Sequence, residues 1–411
     1  MSKQKLRDLY RAPFPLYTIK IDSKTGLVIT AGGGGASKTG IKNAVQFLSL
    51  ELVGNQHTAT LVHSHDTESC ATMNMALGGD VIAAGQDGNC CLMRFREKVS
   101  KEGQSNAPKD AGSGEPGNAR KRGTKKQSDA GGDTVPQTKD KSVQISVEKV
   151  GEVHSDFSPL DPLQKCVRFS SDLTLLLTGG ADGYLRAWEY PSLREKLNFK
   201  AHQDEIEDID ISPDNKHIVT AGRDFACSVW KNDQLVLGLR WHENMPHITD
   251  KMYRYQSCRF AEVEGQKDKL KLFTVQIPHK RERNPPPCYL TKWDGKNFLP
   301  LLTKPCGTEV ISCFSVSDTG TFLGLGTVTG SVSIYSGFFL QKLYHVNESH
   351  GIVVTELAFL PNDPKSKPFK GNNEVAMLSV AVDSRCQLHN IPKWMEVKSQ
   401  LGLAQLLLEA L

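Results

Sequence analysis

Leu176-Leu177-Thr178-Gly179-Gly180-Ala181-Asp182-Gly183-Tyr184-Leu185-Arg186-Ala187-Trp188 reads as two short strands joined by a tight turn. An apolar run shrinks to small residues, Asp-Gly supplies the positive φ that a two-residue hairpin needs, and a second run ends on an aromatic. The same pattern recurs along the chain. It appears as Leu27-Val-Ile-Thr-Ala-Gly, Val81-Ile-Ala-Ala-Gly-Gln-Asp-Gly, His217-Ile-Val-Thr-Ala-Gly-Arg-Asp, Phe322-Leu-Gly-Leu-Gly-Thr and Met377-Leu-Ser-Val-Ala-Val-Asp. A weaker copy, Leu270-Lys-Leu-Phe-Thr-Val-Gln, fits between the fourth and fifth strong ones.

Taking Ala31, Ala84, Gly179, Ala221, Val275, Leu325 and Val380 as equivalent gives steps of 53, 95, 42, 54, 50 and 55 residues. The long step contains residues 98–142, and removing them brings 95 to 50. Seven copies at this period predict an all-β fold, a seven-bladed WD-repeat β-propeller over residues 9–391. Each copy is expected to begin with an apolar strand such as Cys166-Val-Arg-Phe. The small-residue strand then lies nearest the crowded axis, and the third strand ends in an aromatic, as at Trp188, Trp230 and Trp293. Ala201-His202 and Ser349-His350-Gly351 stand where such repeats carry Gly-His. The last copy shows only three strands, so residues 9–15 or 17–21 are expected to close the ring.

Composition sets the bounds. The chain has 411 residues with 38% hydrophobic side chains and a mean hydropathy of −0.37, and it has no apolar run of ~18 residues, which excludes a multi-pass membrane protein. The ten cysteines form no C-x-x-C pair and read as small buried hydrophobes. The net charge of +4 resides in residues 98–142, which hold ten basic and six acidic residues and no Leu, Ile, Met, Phe, Tyr or Trp. Such a stretch cannot bury enough apolar surface to offset its ordering entropy, so it reads as a disordered insertion in blade two. Arg120-Lys121-Arg122 and Lys125-Lys126 within it leave a DNA-binding, transcriptional reading open, although the neutral remainder lacks a basic face.

In the other six copies the turn after the small-residue strand reads as tight. In the first, Gly32-Gly33-Gly34-Gly35-Ala36-Ser37-Lys38-Thr39-Gly40-Ile41-Lys42-Asn43 intervenes before a strand resumes at Ala44. A phosphate-binding loop is excluded by context, because Val45-Gln-Phe-Leu-Ser-Leu-Glu-Leu alternates as a strand and no helix follows. Four glycines let successive carbonyls turn toward one centre, and Asn43 adds a side-chain oxygen. Neutral oxygens without a carboxylate suit a monovalent cation. A surface hairpin with no ligand is the other reading of the same residues. Enzyme motifs are wanting: His242-Glu-Asn-Met-Pro-His247 has the wrong spacing for a zinc helix, and no G-x-S-x-G occurs.

Tyr10-Arg-Ala-Pro-Phe-Pro, Lys38-Thr-Gly-Ile-Lys-Asn43, His63-Ser-His-Asp-Thr-Glu, Tyr253-Arg-Tyr-Gln, Phe273-Thr-Val-Gln-Ile-Pro and Ser379-Val-Ala-Val-Asp-Ser-Arg-Cys resemble the endoplasmic-reticulum guanine nucleotide exchange factors for the Sar-type COPII GTPase. The resemblance runs over residues 9–389 apart from the insertion. It implies exchange without bond chemistry, so no catalytic acid, base or nucleophile is expected. It implies a potassium ion held by Gly32, Gly33, Gly34, Gly35 and Asn43, an exchange segment of Gly40, Ile41, Lys42 and Asn43, and a Sar-type small GTPase as partner. It also implies further contact through Asp66, Thr67 and Cys70, and location on the cytosolic face of the endoplasmic reticulum. A passive propeller scaffold is the remaining alternative. Members of that family continue into a membrane-spanning helix, but residues 392–411 hold no charge-free run longer than ten residues, too short for a ~30 Å core. An amphipathic tail is expected there, with cytoplasmic location if the anchor is absent and a nuclear one as the lesser alternative.

Overall fold

The computed structural model describes residues 7–37, 40–54, 56–99, 143–243, 245, 248–249, 252–264, 269–280 and 282–393. They form seven four-stranded antiparallel sheets, and the one helix among the described residues is Lys367–Lys370. Within each sheet the strands lie in chain order from the channel outward, save in blade seven, where the outermost strand comes from the N-terminus. Tyr10 pairs with Cys386 and Arg11 with Arg385, so the ring is closed by the first of the two candidate segments. Leu16–Ile21 instead begins blade one. Closure is apolar as well as hydrogen-bonded: Ala12 and Phe14 are buried in one cluster with Leu360, Leu378 and Cys386.

The small-residue strands are not nearest the axis. The first strand of each blade is, and these seven strands touch one another around the ring. The second strands, such as Val28–Gly32 and Ile218–Gly222, are buried along their whole length. Their small residues answer to the neighbouring blade rather than to the axis. A Cβ on Gly326, for example, would lie 2.8 Å from Val354 of the next blade and 2.5 Å from Cys313 Sγ.

A bulge in the inner strand of six blades sets the true equivalence. The residue after it pairs with Ala31, Gly179, Ala221, Val275 and Val380 as expected, but in blade six with Gly326 instead of Leu325. Gly324 and Gly326 alternate with leucines there, and the sequence pattern slips by one residue where no side chain marks the bulge. Blade five also departs from the expected tight turn, since residues 279–287 separate its second and third strands.

Trp188, Trp230 and Trp293 each donate their indole N–H to a second-strand threonine, Thr178, Thr220 and Thr274. In blade four His202 completes the set, bridging Thr220 (2.7 Å) and Asp224 (2.9 Å). Blade seven builds the same network with His389 in the tryptophan position: Ser379 links His389 and His350, and His350 reaches Asp383. Eight cysteines are buried, while Cys70 and Cys306 are half-buried. The paired strands of blade two run out to Val99 and Val143, and residues 100–142, with their basic run, lie outside the described residues, as do residues 394–411. Among the described residues no helix is long and apolar enough to cross a membrane.

Candidate functional site

The first-blade loop begins where its strand passes the start of the blade's own first strand, Leu16 pairing with Gly32. A Cβ on Gly32 would sit 1.9 Å from the Pro15 carbonyl oxygen, and Gly33 N–H donates to that same oxygen at 3.0 Å. Gly33 then runs at φ +144° against Asn43, where a Cβ would fall 2.1 Å from Asn43 Oδ1. Only glycine satisfies both the angle and the space.

Asn43 is the lock of this loop. Its side chain is buried, Oδ1 accepts the Gly35 amide at 2.9 Å, and Nδ2 donates to the Gly35 carbonyl at 3.0 Å. Nδ2 also donates to the Glu68 carbonyl at 2.9 Å, which ties the loop to the connector leading into blade two. Thr67 N–H donates to the Asn43 carbonyl at 3.0 Å, a second tie across the same seam. Beyond this neck, Ser37 Oγ donates to the Gly34 carbonyl at 2.7 Å. Lys38 and Thr39 lie outside the described residues, and Gly40, Ile41 and Lys42 stand exposed, Ile41 at 41%.

The connector is itself a closed turn. Asp66 pairs with Ala44 at the end of the outer strand, and its Oδ1 accepts the Glu68 amide at 2.8 Å. Thr67 and Cys70 bind each other twice, Thr67 Oγ1 to the Cys70 carbonyl at 2.8 Å and Cys70 N–H to the Thr67 carbonyl at 3.2 Å. Asp66, Thr67 and Cys70 are thus brought beside the first-blade loop, with Asp66 exposed and the other two half-buried. A cavity of about 340 Å³ opens beneath them, lined by His65, Cys70, Cys91, Lys149 and Glu152 among others. Burial, and then the neighbouring His63, holds the His65 imidazole below its ordinary value, and burial pushes the Cys91 thiol up.

The donor chemistry of the loop fits a potassium ion in kind. Its oxygens are neutral, residues 32–43 carry no carboxylate, and the Gly34 and Gly35 carbonyls keep a second lone pair after the hydrogen bonds they accept. The sequence singled out Asn43 as an oxygen donor. It did not reveal that the amide also clamps the neck, nor the parts of Pro15 and Glu68, because both act through backbone carbonyls, one at the start of the blade's first strand and the other in the connector to the next blade. Among the described residues no three His, Cys, Asp or Glu side chains group as a metal site.

Known proteins resemble this chain in its repeats and along its length. The WD domain, G-beta repeat family matches residues 161–189 and 193–231, which cover most of blades three and four. The guanine nucleotide-exchange factor SEC12 of Mus musculus is 54% identical over 409 residues, 98% of this chain and 96% of the mouse protein. The Rattus norvegicus protein of the same name is 53% identical with the same coverage. SEC12-like protein 1 of Arabidopsis thaliana is 29% identical over 205 residues, about half of either chain. With such identity along nearly the whole of both chains, this protein belongs to the SEC12 family of guanine nucleotide-exchange factors.

Proposed function

We propose that the protein starts COPII vesicle formation at the endoplasmic reticulum by releasing GDP from a Sar-type small GTPase, and that residues 32–43 are the part that does so. The observation that carries this reading is a loop locked at its neck by a buried Asn43 while Gly40-Ile41-Lys42 project into solvent. Nucleotide release needs no bond chemistry. It needs tighter binding to the nucleotide-free GTPase than to the loaded form, and by linkage nucleotide affinity then falls by the same factor.

A stiff apolar tip is suited to that difference. Ile41 displaces a switch segment only if the loop does not yield, and the Asn43 clamp keeps it from yielding. Lys42 meets the acidic groups that held Mg²⁺, which favours the emptied state. Asp66, Thr67 and Cys70 brace the loop from the blade-two side and extend the contact. Gly32, Gly33, Gly34, Gly35 and Asn43 would hold a potassium ion, which when bound supplies a fixed positive charge that orders their oxygens. Direction comes from the cellular excess of GTP.

The test is release of a fluorescent GDP from a Sar-type GTPase, in potassium and in a larger inert cation. Ile41→Asp, at an exposed site, is expected to cut the accelerated rate at least about tenfold with thermal stability unchanged. Wild-type acceleration by this variant overturns the assignment of the loop. Binding of the GTPase without any acceleration, even by the unmodified protein, leaves a scaffold instead.

A further inference from the structure

We propose that the connector between blades two and three is a second, apolar foot for the same GTPase, centred on Phe157 and Leu160. This rests on the reading that the face bearing residues 32–43 meets the GTPase. The turns between second and third strands and the connectors between blades emerge on one face of the ring. The contacts of Thr67 with Asn43 in blade one, and of Phe157 with Asp182 where blade two meets blade three, show this directly.

The connector is built to hold its apolar residues still. Asp156 is fully buried, its Oδ1 accepting the amides of Ser158 (3.0 Å) and Leu163 (3.1 Å) and its Oδ2 the amide of Asp182 (2.9 Å). Phe157 N–H donates to Asp182 Oδ2 at 3.0 Å. The Phe157 ring meets His154 edge-on at 4.3 Å and lies 4.8 Å from the Arg186 guanidinium. That guanidinium is fixed by Asp182 at 2.7 Å and the Ser155 carbonyl at 2.8 Å, with Tyr184 5.0 Å from it. Pro159 and Pro162 flank Leu160-Asp161 and restrict the rest.

Despite this scaffolding, Phe157 is 56% exposed and Leu160 95% exposed. Leu160, left in water, gives the fold almost nothing, and Phe157 buries less than half of its surface. A preordered apolar side chain lowers the entropy cost of an interface, and aromatic anchors are where binding energy concentrates. Area points the same way. A stable complex covers ~800 Å² on each partner, more than the few exposed residues of the exchange loop offer. A single globular domain of typical size, roughly 100–150 residues, is ~30–35 Å across and so covers more than one blade. The loop's bracing runs toward blade two through Thr67 and Glu68, and the same connector carries Met73, 40% exposed. Ile41, Met73, Phe157 and Leu160 therefore follow one another from blade one to blade three.

A foot outside the nucleotide pocket binds loaded and empty GTPase alike, so it sets the half-saturating concentration and not the maximal rate. GDP release is measured at increasing exchange factor for the unmodified protein, Leu160→Asp, Phe157→Ala and Ile41→Asp. Leu160→Asp is expected to raise the half-saturating concentration about tenfold and Phe157→Ala at least threefold, both with the unmodified maximal rate. Leu160 touches so little that a folding defect cannot produce the effect. An unchanged half-saturating concentration in Leu160→Asp, or a reduced maximal rate with unchanged half-saturation, overturns the proposal. If Ile41→Asp is impaired while Leu160→Asp is normal, only the second foot fails; if Ile41→Asp is also normal, the reading of the loop fails with it.

Discussion

Asn43 is the residue on which the first-blade loop turns, since one amide joins Gly35 on both its donor and acceptor sides and reaches Glu68 as well. Asn43→Ala removes three hydrogen bonds of about 1 kcal/mol each at a site where their neighbours stay in place. The expected result is a loss of exchange of at least about tenfold with only a modest fall in melting temperature, read by GDP release and calorimetry. Gly33 and Gly40 make a matched pair of tests. Both glycines run at positive φ, +144° and +76°, which alanine adopts only with strain, but alanine at Gly33 also collides with Asn43 while at Gly40 it meets open space, so Gly33→Ala is expected to disable exchange and Gly40→Ala to weaken it less. A second residue-scale expectation concerns His389. Burial first, and repulsion from His350 second, holds its pKa down at about 3, against about 6.5 in the unfolded chain. Below pH 6.5 the unfolded state takes up a proton that the folded state refuses. This histidine's contribution to stability is therefore full above pH 6.5 and is lost progressively as pH falls toward 3. Denaturant titrations over that range are expected to show a shallower loss for His389→Gln than for the unmodified protein.

At the scale of single elements, the outer hairpin of blade two and the long loop of blade one show how much the sequence discloses. The insertion was legible because residues 98–142 lack large apolar side chains. Its structural consequence follows from register: Val99 pairs with Val143, so the flanking strands already meet. Replacing residues 100–142 by Asn-Gly is expected to leave both melting temperature and GDP release unchanged, within about 0.5 kcal/mol; a large loss of either would show that the segment serves the propeller or its partner. The first-blade loop is legible as a departure from a regular turn, whereas the blade-five turn, residues 279–287, is equally irregular although the repeat pattern predicts a tight one there. The bulge that moves the blade-six equivalence from Leu325 to Gly326 was also hidden, because alternating glycines satisfy either register until the neighbouring blade decides. Nothing in Ser158-Pro159-Leu160 marked it as an exposed platform. That depends on Asp156 and Asp182, which are 26 residues apart.

For the whole molecule, the inner strands form more than a lining. Lys20, Arg168, Asp210, Arg259 and Glu356 surround a channel cavity of about 550 Å³. Arg168 reaches Asp208 and Asp210 of the next blade at 3.6 and 3.7 Å, and Arg254 reaches Glu207 at 2.7 Å. Glu356 of blade seven accepts from Lys20, from Thr18 and from the Ile19 amide (2.7 Å), which ties the last blade to the first. Glu356→Ala leaves the Lys20 ammonium without its partner. The expected loss is about 2–3 kcal/mol, less than the ~3–5 kcal/mol of a fully buried pair because both side chains keep some exposure; equilibrium denaturation measures it. The sequence by itself determined the seven repeats, their strand and turn chemistry, the odd loop of the first blade and the resemblance to exchange factors, since each is written in residues close together along the chain. Only the tertiary structure decided which strand faces the channel, which N-terminal segment closes the ring, that Asn43 is a clamp, and that Phe157 and Leu160 share a face with Ile41. Those outcomes rest on contacts between blades, and the partners in such contacts are far apart in sequence and become neighbours only when the ring shuts.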